Sequence, residues 1–185
     1  MAERYVALLR GINVGGNNII KMADLKACFE KQRFTNVTTY IQSGNVVFQA
    51  AEKDRDRLTS SIEAALTKTF DYRASVVVLS RKQLRSIVER APAGFGSAPD
   101  LCRYDVIFLK SPLTAEAAMK TISPKPGVDE AHGGAGALYF SRLIARASQS
   151  RLSKIVSSPE YKNMTIRNWN TTTKLLALLA RAPTD

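Results

Sequence analysis

Val37-Thr38-Thr39-Tyr40-Ile41-Gln42-Ser43-Gly44-Asn45-Val46-Val47-Phe48 is the stretch whose reading decides the fold. β-branched and aromatic residues dominate both flanks, and Ser43, Gly44 and Asn45 between them supply turn chemistry, so the stretch predicts a β-hairpin. Asn45 in the left-handed region beside Gly44 accounts for the bend. Upstream, Met22, Leu25, Cys28 and Phe29 recur at helical spacing, and Tyr5 to Leu9 reads as a first strand ending at Arg10. Downstream, Leu58, Ile62, Leu66 and Phe70 mark a second helix and Ala74 to Leu79 a fourth strand. The order is β-α-β-β-α-β, the split βαβ pattern of ferredoxin-like folds.

Ser80 and Gln83 form a capping box that opens a helix through Leu84, Ile87 and Val88, which stops before Pro92. Residues 91–101, rich in Ala, Pro and Gly, read as a linker. Beyond it come a strand over Arg103 to Leu109, a helix over Thr114 to Ile122, a weak extended piece at Val128 to Ala131 and a strand over Ala137 to Phe140. A short helix over Arg151 to Val156, a strand over Met164 to Trp169 and a helix striped by Leu175, Leu176 and Leu179 complete the chain. The expected architecture is therefore α+β, with two ferredoxin-like (βαββαβ) halves over residues 1–92 and 93–185, the second bearing an extra terminal helix. Shared element order without obvious shared sequence fits an internal duplication.

A chain of 185 residues buries enough surface for one sizeable core or two small fused ones, without disulfides or metals. With 45% hydrophobic and 23% charged residues, disorder is excluded as a description. Cys28 and Cys102 stand outside any C-x-x-C or metal-ligand spacing and read as reduced, buried thiols. The apolar run from Tyr5 to Leu9 is too short for a signal-peptide core or a membrane span, so the expected location is the cytoplasm, with no membrane partner. Net charge is +11, and residues 142–185 hold eight Lys and Arg against two acids. Such an excess steers nucleic acids and nucleotides toward a protein without specifying which, and it also serves as plain solvated surface.

Topology converts these elements into a site. In a split βαβ unit the first two strands run the same way, which brings the Arg10 to Asn18 loop beside Gln42 to Asn45. Arg10, Asn13, Gly15 and Lys21 then join Gln42, Ser43 and Asn45 in one neighbourhood suited to a phosphate, the amides being able to read a base edge or sugar. The loop lacks both the G-K-[ST] ending of a P-loop and the G-x-G-x-x-G spacing. Its glycines and asparagines also serve simply to turn the chain. Arg167 and Trp169, two apart on a strand, point away from Met164 and Ile166; an open face there would offer a cation and an aromatic platform to a base. Alternatively Trp169 packs between helix and sheet while Asn170 or Thr171 caps the helix.

Gly44 to Phe48 lacks the basic residue and paired aromatics of an RNA-recognition motif. His132, the only histidine, reads as a hairpin-tip residue with no metal-ligand spacing around it, so neither metal nor cofactor is expected. No G-x-S-x-G elbow accompanies it.

Leu8 to Gly16, Ile20 to Leu25, Thr39 to Phe48 and Arg167-Asn168-Trp169-Asn170-Thr171 together resemble the Domain of Unknown Function 1697 family, most densely over residues 8–48 and least from Ala91 to Phe140. The resemblance implies an α+β fold of two ferredoxin-like halves and a cytoplasmic, mostly bacterial distribution. It implies no activity and no catalytic residues. Three function classes stand at this point: binding of a phosphate-bearing ligand such as nucleic acid or a nucleotide; an enzyme acting on a phosphorylated or nucleoside substrate; and a partner-binding module using sheet faces or edges.

Overall fold

Strand β1 (Glu3–Leu9) leads to α1 (Met22–Glu30), the hairpin β2 (Thr35–Tyr40) and β3 (Asn45–Ala50), α2 (Arg55–Phe70), β4 (Val76–Ser80) and α3 (Arg81–Glu89). The computed structural model describes residues 2–13, 15–16 and 18–181. The four strands form an antiparallel sheet in the order β2-β3-β1-β4. Because β1 and β2 both run antiparallel to β3, they share a direction and end at the same edge, where β4 begins.

One face of this sheet, carrying Tyr5, Leu9, Val46, Phe48 and Val78, packs on Leu25 and Phe29 of α1 and on Leu58, Ile62 and Leu66 of α2. Phe48 is the hub: its ring lies 4.7 Å from Phe34, 5.4 Å from Phe29 and 5.7 Å from Tyr5, centroid to centroid. Each such buried side chain contributes roughly 1.5–3 kcal/mol. Val6, Leu8, Val47 and Leu79 on the opposite face are buried as well. Burial on both faces explains why Tyr5 to Leu9 and Val76 to Leu79 read as continuous apolar runs rather than alternating ones. These central strands present no open face to a partner chain.

Local chemistry sets the helix starts. Asp54 caps α2 by accepting from the amides of Asp56 and Arg57. The capping box at α3 is reciprocal: the Ser80 amide donates to Gln83 Oε1 (3.0 Å) and the Gln83 amide to Ser80 Oγ (3.3 Å).

The second series is β5 (Cys102–Leu109), α4 (Ala115–Thr121), β6 (Asp129–Gly133), β7 (Ala137–Leu143), α5 (Leu152–Val156), β8 (Met164–Asn168) and α6 (Trp169–Ala180). Its antiparallel sheet has the order β6-β7-β5-β8, position for position that of the first. Ile107, Leu109, Leu138, Phe140 and Met164 pack on Ala118 of α4 and Ile155 of α5. The architecture is thus mixed α+β with two four-stranded antiparallel sheets. Two 3-10 turns, Ile144–Gln149 and Pro159–Asn163, occupy stretches without apolar periodicity.

Two local expectations are corrected. The weak extended piece at Val128 to Ala131 is a strand over Asp129–Gly133, paired along β7, whose ladder overrides the poor strand propensity of Asp-Glu-Ala-His-Gly. His132 consequently lies within β6 opposite Tyr139, and the hairpin tip is at residues 134–136. The chain divides into two compact units, residues 1–84 with 174–185 and residues 85–173. These limits fall inside α3 and α6.

Candidate functional site

At the edge where β1 and β2 end, the loop after β1 and the hairpin turn are in direct contact. The Leu9 amide donates to the Gly44 carbonyl (2.8 Å), and the next amide, Arg10, donates to the Ser75 carbonyl just before β4 (2.9 Å). Gly44 has φ +75°, and a Cβ there would lie 2.8 Å from both Leu9 Cβ and Ile12 Cδ1. Only glycine meets both demands without displacing its neighbours.

Asn13 is the brace of this arrangement. Its Nδ2 donates to the carbonyls of Ile20 (3.0 Å) and Gln42 (2.8 Å), while its Oδ1 accepts from the Ile20 amide (2.8 Å). Asn18 Nδ2 adds a bond to the Gly11 carbonyl (2.8 Å). Both asparagines have positive φ, 52° and 47°, which short amide side chains tolerate. Asn13 therefore spends its amide on holding the loop in shape.

Asn45 does the same for the turn. It is fully buried as the first residue of β3, and its Nδ2 donates to the Tyr40 carbonyl and Ser43 Oγ, both at 3.0 Å. The expectation of a left-handed Asn45 is corrected: positive φ belongs to Ile41 (49°) and Gly44 (75°). Asn45 is needed instead as an extended residue whose side chain closes the turn from inside.

Facing solvent on the same edge are Lys21, the exposed N-cap residue of α1 with no side-chain capping bond, the exposed pair Gly15 and Gly16, and the exposed Gln42. Arg10 and Ser43 are half-buried. Arg10, Asn13, Gly15, Lys21, Gln42, Ser43 and Asn45 are thus all carried by these two connected segments. Ile19 (76% exposed) and Ile41 (49% exposed) flank the Asn13 brace and escaped the sequence reading. The available signal was an isoleucine inside an otherwise polar Gln-Ser-Gly-Asn turn. A β-branched residue at φ 49° is strained, and such strain concentrates at functional loops.

Arg167 and Trp169 belong to the other unit, and Arg167 is buried there rather than displayed beside the Trp169 ring. Arg167 is only 8% exposed and donates to the Ile166 carbonyl (2.8 Å); burial pushes its guanidinium down to about 10. Trp169 is not a strand residue but the first residue of α6, with its ring edge-on to Phe95 at 5.2 Å. The cap of that helix is neither Asn170 nor Thr171: Asn168 Oδ1 accepts from the Thr171 amide (2.7 Å). Arg167 takes the face of β8 opposite Met164 and Ile166, but tertiary cover on that face is not encoded in a five-residue stretch. Among the described residues, no group of three or more His, Cys, Asp or Glu side chains is placed to hold a metal, and no helix is long and apolar enough to cross a membrane.

No curated protein matches the chain. Among solved structures it is similar to the conserved bacterial protein SP0830 from Streptococcus pneumoniae, with 27% identity and a TM-score of 0.83 over 97% of this chain and 99% of that one. A family model described as Protein of unknown function (DUF1697) matches residues 2–139. The match includes the two contacting segments and the middle stretch where the resemblance was thinnest, and it stops short of Arg167 to Thr171. By that match, over well more than half its length, the chain belongs to the DUF1697 family of proteins of unknown function.

Proposed function

We propose that the protein binds a phosphate-bearing ligand, a nucleic acid or nucleotide, at the braced loop and turn of the first unit. Arg10 and Lys21 supply positive charge, the backbone at Gly15 and Gly16 supplies close approach, and Gln42 and Ser43 supply polar contacts at the rim. Ile19 and Ile41 offer apolar surface to the sugar or base. Asn13 and Asn45 act by positioning. The observation that carries this reading is the Asn13 brace, which fixes a cationic, glycine-rich loop against a strained turn while Gly15, Gly16 and Gln42 stay exposed. The net charge of +11 favours encounter with such ligands.

The same reading treats each half as a ferredoxin-like βαββαβ unit and the chain as an internal duplication. The identical strand orders support it. It also places the protein in the cytoplasm, consistent with two free cysteines.

The test is a titration of labelled RNA, single-stranded DNA and duplex DNA at several salt concentrations, with Lys21→Ala and Arg10→Ala beside the parent protein. Affinity should fall steeply with salt, and each substitution should weaken binding by about fivefold to tenfold and reduce the salt slope by about one. Binding that ignores salt, or survives both substitutions unchanged, contradicts the proposal.

A further inference from the structure

Sheet β6-β7-β5-β8 has a notch. Pairing of β5 with β7 continues to Cys102 opposite Leu143, but pairing of β5 with β8 stops at Asp105 opposite Asn168. There the chain leaves the sheet as α6, so the edge of β5 over residues 102–104 has no strand beside it. A cavity of about 380 Å3 occupies this place, lined by Arg103, Tyr104, Asp105, Arg142, Trp169 and Asn170 among others. That volume lies within the range of small-molecule sites.

Its walls are fixed. Phe95 lies edge-on to Tyr104 at 5.0 Å and to Trp169 at 5.2 Å. Gly96, at φ +87°, lets the backbone meet the indole so closely that any Cβ would collide with Trp169 Nε1 and Cδ1. The Ala98 amide donates to Tyr104 Oη (3.3 Å), and the Cys102 amide to the Ala98 carbonyl (2.9 Å). An aromatic wall held this way loses little freedom when a ring packs on it.

The charges in the cavity are unequal. Among the described residues that line it, Arg103 and Arg142 are opposed by one carboxylate, Asp105. Arg142 Nη2 sits 3.5 Å from Asp105 Oδ2, one ion pair for a group with five donors. Asp105 is 8% exposed, and its Oδ2 is buried without a hydrogen bond. Burial pushes the Asp105 carboxyl up from its ordinary value against the opposing pull of Arg142 and Arg103.

We propose that this cleft is a second binding site, independent of the loop cluster of the first unit, that takes a small anion carrying a planar ring. Arg142 and Arg103 hold the carboxylate or phosphate, the ring lies on the Tyr104 and Trp169 wall, and an N–H or hydroxyl of the ligand supplies the donor that Asp105 Oδ2 lacks. The site shares no residue with the loop cluster.

Trp169 is the only tryptophan, so its fluorescence reports on this cleft alone. Phenyl phosphate and benzoate, titrated separately, should give a saturable change in it, the tighter of the two identifying the preferred anion. Arg103→Ala, at an exposed position, should weaken the binding about tenfold, whereas Arg10→Ala should leave it unchanged. Inorganic phosphate, which lacks the ring, should bind about tenfold more weakly still. As a second readout, Cys102 lines the cleft and Cys28 is buried, so saturating ligand should slow alkylation of Cys102 by iodoacetamide. No saturable change with either aryl anion, equal affinity in Arg103→Ala, equal affinity for inorganic phosphate, or an alkylation rate indifferent to ligand would each overturn the proposal.

Discussion

The two halves solve one backbone problem in the same way and then diverge. In the first, the Leu9 amide donates to Gly44 and the Arg10 amide to Ser75; in the second, the Leu109 amide donates to Gly136 (3.1 Å) and the Lys110 amide to Asn163 (2.8 Å). In each case the strand's last residue meets a left-handed glycine of the hairpin, and the following residue meets the one before the fourth strand. These bonds belong to the fold. What differs is built upon them: residues 10–21 connect β1 to α1, whereas the much shorter 110–114 connects β5 to α4. The long connection alone carries the Asn13 brace, paired glycines and Lys21 at a helix start. A feature present in both halves is explained by architecture, so the surplus in one half is where function should be sought.

The largest expected effect tests that contrast at its two glycines. Gly44→Ala places a methyl against Leu9 and Ile12 at a positive φ and should cost about 3 kcal/mol. Gly136→Ala meets nothing within 4 Å and carries only the conformational cost, about 1 kcal/mol. Urea unfolding of both variants measures the difference. Equal losses would show that the first half is packed no more tightly around its turn than the second.

A smaller effect of opposite sign is expected at Ile41. Replacing it with glycine relieves the left-handed strain and should stabilise the protein by about 1 kcal/mol, while removing apolar surface beside the cationic loop should weaken nucleotide or RNA binding. Thermal unfolding and a binding titration on one sample check both arms. If Ile41→Gly stabilises without loss of affinity, the strain has no part in the site.

What the sequence disclosed was local. The hairpin, the Ser80 and Gln83 capping box and the α1 and α2 stripes rest on spacings of two to four residues, and the contact between the β1 loop and the turn followed from winding alone. The turn's dihedrals were misread because Asn45 satisfies two other rules at once, a strand start and an internal amide bridge. Arg167 looked outward because alternation says which face a residue takes and nothing about what covers that face. The notch in the second sheet was invisible for a related reason: its lining comes from Gly96 and Pro99, Cys102 to Asp105, Arg142 and Ile144, and Asn168 to Asn170. No periodicity links segments so far apart, and the break in pairing that opens the cavity exists only once the register between β5 and β8 is set.

Amide chemical-shift mapping on addition of inorganic pyrophosphate puts the two halves side by side in one experiment. Saturable shifts are expected at Gly11, Gly15, Gly16, Lys21, Gln42 and Ser43, with the amides of Lys110, Ser111, Leu113, Thr114 and residues 134–136 unmoved. Equal movement in both sets, or none at the long loop, would contradict the proposed site.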